Sequence, residues 1–118
     1  MRKLLLAAGL LVAGTLTASA QDLGGRYTVN GTNLDGSKYD GTAVIEITSN
    51  NTCRIEWVTG DTTASGICMR NGIALAAGYV LGESVGLVIY EIKDNGVLDG
   101  LWTVADTDGV GTETLSPR

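Results

Sequence analysis

Two cysteines, thirteen acidic side chains and no histidine set the chemistry open to this 118-residue chain. Without an imidazole, the many serines and threonines lack the usual base for nucleophilic attack. A Cys/His zinc site cannot be assembled either. Paired carboxylates do acid–base work in glycosidases, and Glu46 and Glu56 sit on what read as neighbouring strands. Glu56, however, alternates with Ile55 and Trp57, so it points to solvent if those two point inward. Asp106-Thr107-Asp108-Gly109 has the spacing of the start of a calcium loop but lacks the distal glutamate. Aspartate and glycine also make ordinary turns, so a turn and a weak calcium site are both open readings. Lys38 and Lys93 fall in turns, where lysines are solvated. The chain is expected to have no catalytic role, no bound cofactor and no dedicated metal centre.

The chemistry left is that of the thiols, Cys53 and Cys68, and it depends on strand register. The stretch from Cys53 to Tyr79 reads as three short strands and two tight turns. A first turn centred on Gly60-Asp61 sets Trp57 opposite Ala64, Ile55 opposite Gly66 and Cys53 opposite Cys68. Opposed residues in an antiparallel pair lie about 4.5–5.5 Å apart at Cα, within reach of a disulfide. Closing so short a loop stabilises by about 3 kcal/mol in the chain-entropy picture. A second turn centred on Asn71-Gly72, a pair that tolerates φ > 0, sets Cys68 opposite Leu75, Gly66 opposite Ala77 and Ala64 opposite Tyr79. Both cysteines then share an apolar face with Ile55, Trp57, Leu75 and Tyr79.

A disulfide needs an oxidising compartment, and the N-terminus is consistent with one. Arg2 and Lys3, an apolar run from Leu4 to Thr17 and the small-residue site Ala18-Ser19-Ala20 have the form of a secretory signal peptide over residues 1–20. The expected location is periplasmic or secreted. Residues 21–118 then form one domain. Removing Arg2 and Lys3 leaves six basic against thirteen acidic side chains, a net of −7. That balance argues against nucleic acid and anionic lipid as partners. No later stretch is long and apolar enough to span a bilayer as a helix.

The rest of the domain reads as strands. Gly24–Thr32, Tyr39–Thr48 and Val110–Leu115 alternate or carry β-branched residues between turns, with Pro117 placed beyond the last strand. Val85–Ile92 is apolar enough for a buried helix, but its length, its β-branched residues and the turn that follows favour a strand. A three-residue loop at Asp94-Asn95-Gly96 sets Ile92 opposite Leu98, Tyr90 opposite Gly100 and Val88 opposite Trp102. About eight strands in short sequential hairpins predict an all-β, up-and-down antiparallel meander. Closure into a small barrel would remove its edges; a β-sandwich is the alternative.

Two features carry the binding chemistry. The aromatic residues Tyr27, Tyr39, Trp57, Tyr79, Tyr90 and Trp102 either fill the core of a chain without phenylalanine or line the mouth of a barrel. Trp57, Tyr79, Tyr90 and Trp102 are the ligand candidates. The Val85–Val104 hairpin is apolar on both faces. Val88, Tyr90, Ile92, Leu98 and Trp102 take one; Val85, Leu87, Ile89, Val97 and Leu101 take the other. Leu87, Ile89 and Leu101 are therefore candidates for a homodimer or protein-partner surface.

Several motifs span nearly the whole domain: Asp35-Gly36-Ser37-x-Tyr39-x-Gly41, Cys53-Arg54-Ile55-x-Trp57, Gly66-Ile67-Cys68-Met69, Leu98-Asp99-Gly100-x-Trp102-Thr103 and Gly109-x-Gly111-Thr112-Glu113-x-Leu115. Together they resemble a group of small exported alphaproteobacterial-type β-proteins, sometimes labelled fibronectin-binding. The resemblance implies a surface or matrix-binding role. The Gly96–Trp102 hairpin is also similar, at the level of fold, to turns in avidin-like and lipocalin-like barrels. The sequence thus predicts an exported binding or structural β-barrel. The alternative is a carrier of a small apolar ligand held inside the barrel.

Overall fold

The computed structural model describes residues 23–118, all but the ends of which lie in eight strands and their connections. The signal segment expected at residues 1–20 lies outside the described residues. The strands are β1 (Gly25–Thr32), β2 (Lys38–Ile47), β3 (Thr52–Thr59), β4 (Thr62–Asn71), β5 (Ala74–Leu81), β6 (Ser84–Ile92), β7 (Leu98–Val104) and β8 (Gly111–Pro117). Each pairs antiparallel with its sequence neighbours. β1 also pairs with β8, so the meander closes into a barrel without free edges. The barrel, not the sandwich, is the fold. The apolar Val85–Ile92 stretch is strand β6, and no helix among the described residues is long and apolar enough to cross a membrane.

Strict alternation builds the interior. β3 buries Cys53, Ile55 and Trp57 and exposes Arg54, Glu56 and Val58; β5 buries Leu75, Ala77 and Tyr79. Val29, Leu75, Leu98 and Leu115 are fully enclosed. Cys53 and Cys68 face each other and form the expected disulfide, with Cα atoms 4.9 Å apart. The register anticipated around Gly60-Asp61 is observed, as is that of the β6–β7 hairpin: Tyr90 opposes Gly100 and Val88 opposes Trp102.

The β4–β5 register differs from expectation by two residues. Asn71 pairs with Ala74, so the loop is Gly72-Ile73, and Cys68 opposes Ala77, Gly66 opposes Tyr79 and Arg70 opposes Leu75. The reason is turn chemistry. Gly60, Gly72 and Gly82 each take the first central position of a two-residue loop with φ of 66°, 62° and 63°. Only that position needs positive φ here, and glycine alone takes it without strain. Asn71 stays in the strand. A shift of two leaves the buried face unchanged, so the error moved partners and not sides. β8 likewise runs further than expected: Pro117 lies within it, opposite Tyr27.

The two ends of the barrel differ. At one end the disulfide, Leu23 and Tyr27 are buried and close the lumen. At the other, the loops after β1, β3, β5 and β7 surround an opening.

Candidate functional site

The opening leads into a cavity of about 330 Å³, lined by the side chains of Tyr39, Trp57, Tyr79, Trp102, Val88 and Glu113, with Asn33, Thr59, Thr62 and Leu81 near the rim. That size lies at the lower end of small-ligand pockets, which are mostly apolar with a few placed polar groups. Tyr39 packs edge-to-face against Trp102, with ring centroids 6.2 Å apart, and Trp57 against Tyr79 at 5.3 Å.

Glycines give these rings their positions. On the inner face, one row across five strands reads Tyr39, Gly31, Glu113, Gly100, Tyr90. The glycines flank Glu113 on both sides. A Cβ at Gly31 would fall 2.4 Å from the Tyr39 ring, and one at Gly100 would fall 2.6 Å from the Tyr90 ring. Each tyrosine side chain therefore crosses over the glycine beside it and reaches the carboxylate two strands away. Tyr79 covers Gly86 and Trp102 covers Gly111 in the same manner. This is the aromatic covering of strand glycines used to fill and curve small barrels.

Glu113 is the buried charged residue of the described chain, only 6% exposed. Its Oε1 accepts from the Tyr39 hydroxyl at 2.7 Å, and its Oε2 accepts from Trp57 Nε1 at 2.8 Å and from the Tyr90 hydroxyl. Three donors from three other strands thus converge on one carboxylate. Hydrogen bonds to a charged group are worth about 1.5–3 kcal/mol each, which offsets the cost of taking it out of water. The tyrosines respond to the same environment. Burial, then the charge of Glu113, holds the Tyr39 and Tyr90 hydroxyls well above the ordinary tyrosine range. The same two causes push Tyr79 up to about 12. Tyr79 donates instead to the Thr103 carbonyl at 3.0 Å.

Trp102 Nε1 is buried and makes no hydrogen bond of good geometry. Its N–H lies on the Tyr39 side, where it favours the ionised Tyr39 oxygen against the larger opposing effects of burial and Glu113.

The residues singled out from sequence divide into two groups. Trp57, Tyr79 and Trp102 line the cavity, and Tyr90 lies buried beside it as a Glu113 partner. Leu87, Ile89 and Leu101 are on the outside, 61%, 63% and 56% exposed. Glu113 itself was missed. The available signal was phase: Glu113 alternates with Leu115, so a strand that buries the leucine buries the glutamate. Glu46 and Glu56 are exposed on the outer face, Glu46 beside Arg54 and Glu56 beside Val44. Asp106 and Asp108 sit in an exposed loop, Asp106 with a φ of 62°. Among the described residues no group of three or more metal-ligating side chains is brought together.

Several solved structures share the fold. A redesigned β-barrel matches with a TM-score of 0.71 and 18% identity over 81% of this chain and 91% of that one. A redesigned β-barrel bound to DFHBI matches at 0.68 and 22% identity, over 80% and 94%. A fatty acid transporter matches at 0.55 and 17% identity, over 82% and 96%. At these identities the likeness is one of fold. No protein-family model and no curated protein matches the chain.

Proposed function

We propose that this chain is an exported binding barrel that holds a small, largely apolar molecule in its open mouth, without turnover. The observation that carries the reading is the 330 Å³ cavity, walled by four aromatic side chains at one end of a barrel whose other end is filled. Aromatic walls supply contact area with little loss of side-chain freedom, and the rim threonines and Asn33 supply orienting polar groups. Barrels of this fold bound to DFHBI or named as fatty acid transporters support it by analogy. The disulfide fits a periplasmic or secreted location. Native mass spectrometry of the mature protein from its own host tests the reading. We expect bound mass above that of the oxidised chain, lost on denaturation. A bare chain that also fails to bind small aromatic probes would overturn it.

A second reading is supported by the outer surface. Met69, Ala76, Ile89 and Leu101 form one exposed row across β4–β7, and Ile67, Gly78 and Leu87 form the next. On β2 and β3 the outer face instead carries Asp40, Glu46, Arg54 and Glu56. The outer wall of β4–β7 thus carries a continuous apolar patch, bounded by the exposed Glu91–Asp99 pair on β6 and β7 and by charged side chains that stand among Val44 and Val58 on β2 and β3, the pattern of a self-association or partner surface. The matrix-binding role implied by the sequence resemblance would use this face. Leu87→Lys with Ile89→Lys should convert a larger species into a soluble monomer in sedimentation. An unchanged mass would overturn this second reading.

A further inference from the structure

Resting on the reading of the mouth as a ligand site, we infer that its ligand is a small organic cation, an ammonium group carried on an apolar body. Two independent features of the cavity converge on that chemistry. The first is charge. Glu113 lines the cavity, and its hydrogen-bond partners, Tyr39, Trp57 and Tyr90, are all neutral. Neutral donors solvate a carboxylate but leave its net charge in place. No lysine or arginine lines the cavity, and the ion pair seen among the described residues, Lys93 with Glu91, is exposed and elsewhere in the barrel. Away from bulk water such a charge acts over several ångströms without direct contact. The second feature is the wall. Tyr39, Trp57, Tyr79 and Trp102 line the same cavity as the carboxylate. Aromatic rings present negative potential at their faces, and tryptophan is the strongest of them for a cation.

The two features reinforce each other. An anion would meet Glu113 and the ring faces with like potential. A neutral apolar molecule would gain the walls and leave the charge uncompensated. A cation gains both. Oε1 accepts only the Tyr39 hydroxyl at good distance, so a carboxylate lone pair remains for an N–H donor, while a quaternary ammonium would use the rings and the field alone.

Three probes of similar shape test this on the disulfide-intact protein: benzyltrimethylammonium, its neutral carbon isostere neopentylbenzene, and phenylacetate as an anion. Binding is followed by the indole N–H signals of Trp57 and Trp102. We expect the cation to bind about tenfold or more tighter than the isostere, phenylacetate to be weakest, and the preference to shrink in Glu113→Gln to the part the rings alone supply. The preference among probes in the unmodified protein stands as evidence even if Glu113→Gln does not fold. Equal affinity for cation and isostere, or preference for the neutral probe, would overturn the cation inference and leave the ligand-binding reading intact. Binding of none of the three would overturn the cation inference, and together with a bare chain in native mass spectrometry it would overturn the ligand-binding reading as well.

Discussion

Trp57 Nε1 and Glu113 Oε2 lie 2.8 Å apart although their strands, β3 and β8, share no ladder. The bond crosses the lumen. With Tyr39 and Tyr90 it ties β2, β3 and β6 to β8, so the carboxylate is a brace between parts of the wall that backbone pairing does not join directly.

Glu113→Gln should therefore destabilise the barrel. A glutamine offers one acceptor oxygen and turns an amide donor toward a cluster of donors. The tyrosine hydroxyls can rotate to accept, but the Trp57 N–H can only donate. The expected cost is roughly 1–3 kcal/mol in urea unfolding, with a changed Trp57 environment in near-UV circular dichroism. An unchanged unfolding midpoint would show that the brace contributes nothing.

The glycines under the rings should be intolerant for a reason a strand glycine elsewhere does not share. A Cβ at Gly86 would lie 2.2 Å from the Tyr79 ring, whereas one at Gly78 would meet only Leu87 at 3.8 Å. Gly86→Ala must displace Tyr79 from the cavity wall and strain its bond to Thr103. Gly78→Ala fills open space on the outer face and lowers the entropy of the unfolded chain. Thermal unfolding should show a clear loss for Gly86→Ala and no loss for Gly78→Ala. Equal effects would contradict the placement of Tyr79.

Much of this was legible in the sequence, and the parts that were not have a common cause. The Cys53–Cys68 pairing followed from one local turn at Gly60-Asp61, and the Tyr90–Gly100 pairing from another at Asp94-Asn95-Gly96. Both are contacts between adjacent strands, fixed by short-range chemistry. The β4–β5 register was misplaced because Asn71-Gly72 and Gly72-Ile73 are competing turn centres, and only the backbone distinguishes them. The Glu113 cluster is different in kind. Tyr39 and Tyr90 each stand two strands from Glu113 on opposite sides, and β1 meets β8 only when the barrel closes. Closure is a property of the whole chain, and no window of sequence contains it.

The disulfide should stabilise the barrel without shaping the mouth. Cys53 and Cys68 are separated by 15 residues and lie toward the filled end, six residues along β3 from Thr59 at the rim. A Cys53→Ala, Cys68→Ala double variant should lose about 2–4 kcal/mol in denaturant unfolding. It should keep the near-UV signature of Trp57 and Trp102 in the folded state. A variant as stable as the parent would show that the cross-link is dispensable. A lost tryptophan signature would show that the two ends are coupled.

Alkaline pH should unfold the barrel through its tyrosines. Tyr39, Tyr79 and Tyr90 all hold their protons more tightly in the fold than a free tyrosine with its ordinary value of 10.0, because burial, then the charge of Glu113, opposes the phenolate. Below about pH 10 both folded and unfolded chains keep these protons, and the contribution to stability is fully present. Above that, the unfolded chain releases protons that the folded chain retains, so stability falls as pH rises. For Tyr79 the loss is complete only as pH passes about 12. The unfolding temperature should thus be flat with respect to these groups up to about pH 9 and drop steeply from about pH 10 to 11. Absorbance near 295 nm should report phenolate formation together with the loss of near-UV structure. Phenolate appearing for all four tyrosines near pH 10 with the fold intact would mean that the hydroxyls of Tyr39 and Tyr90 are not held against Glu113.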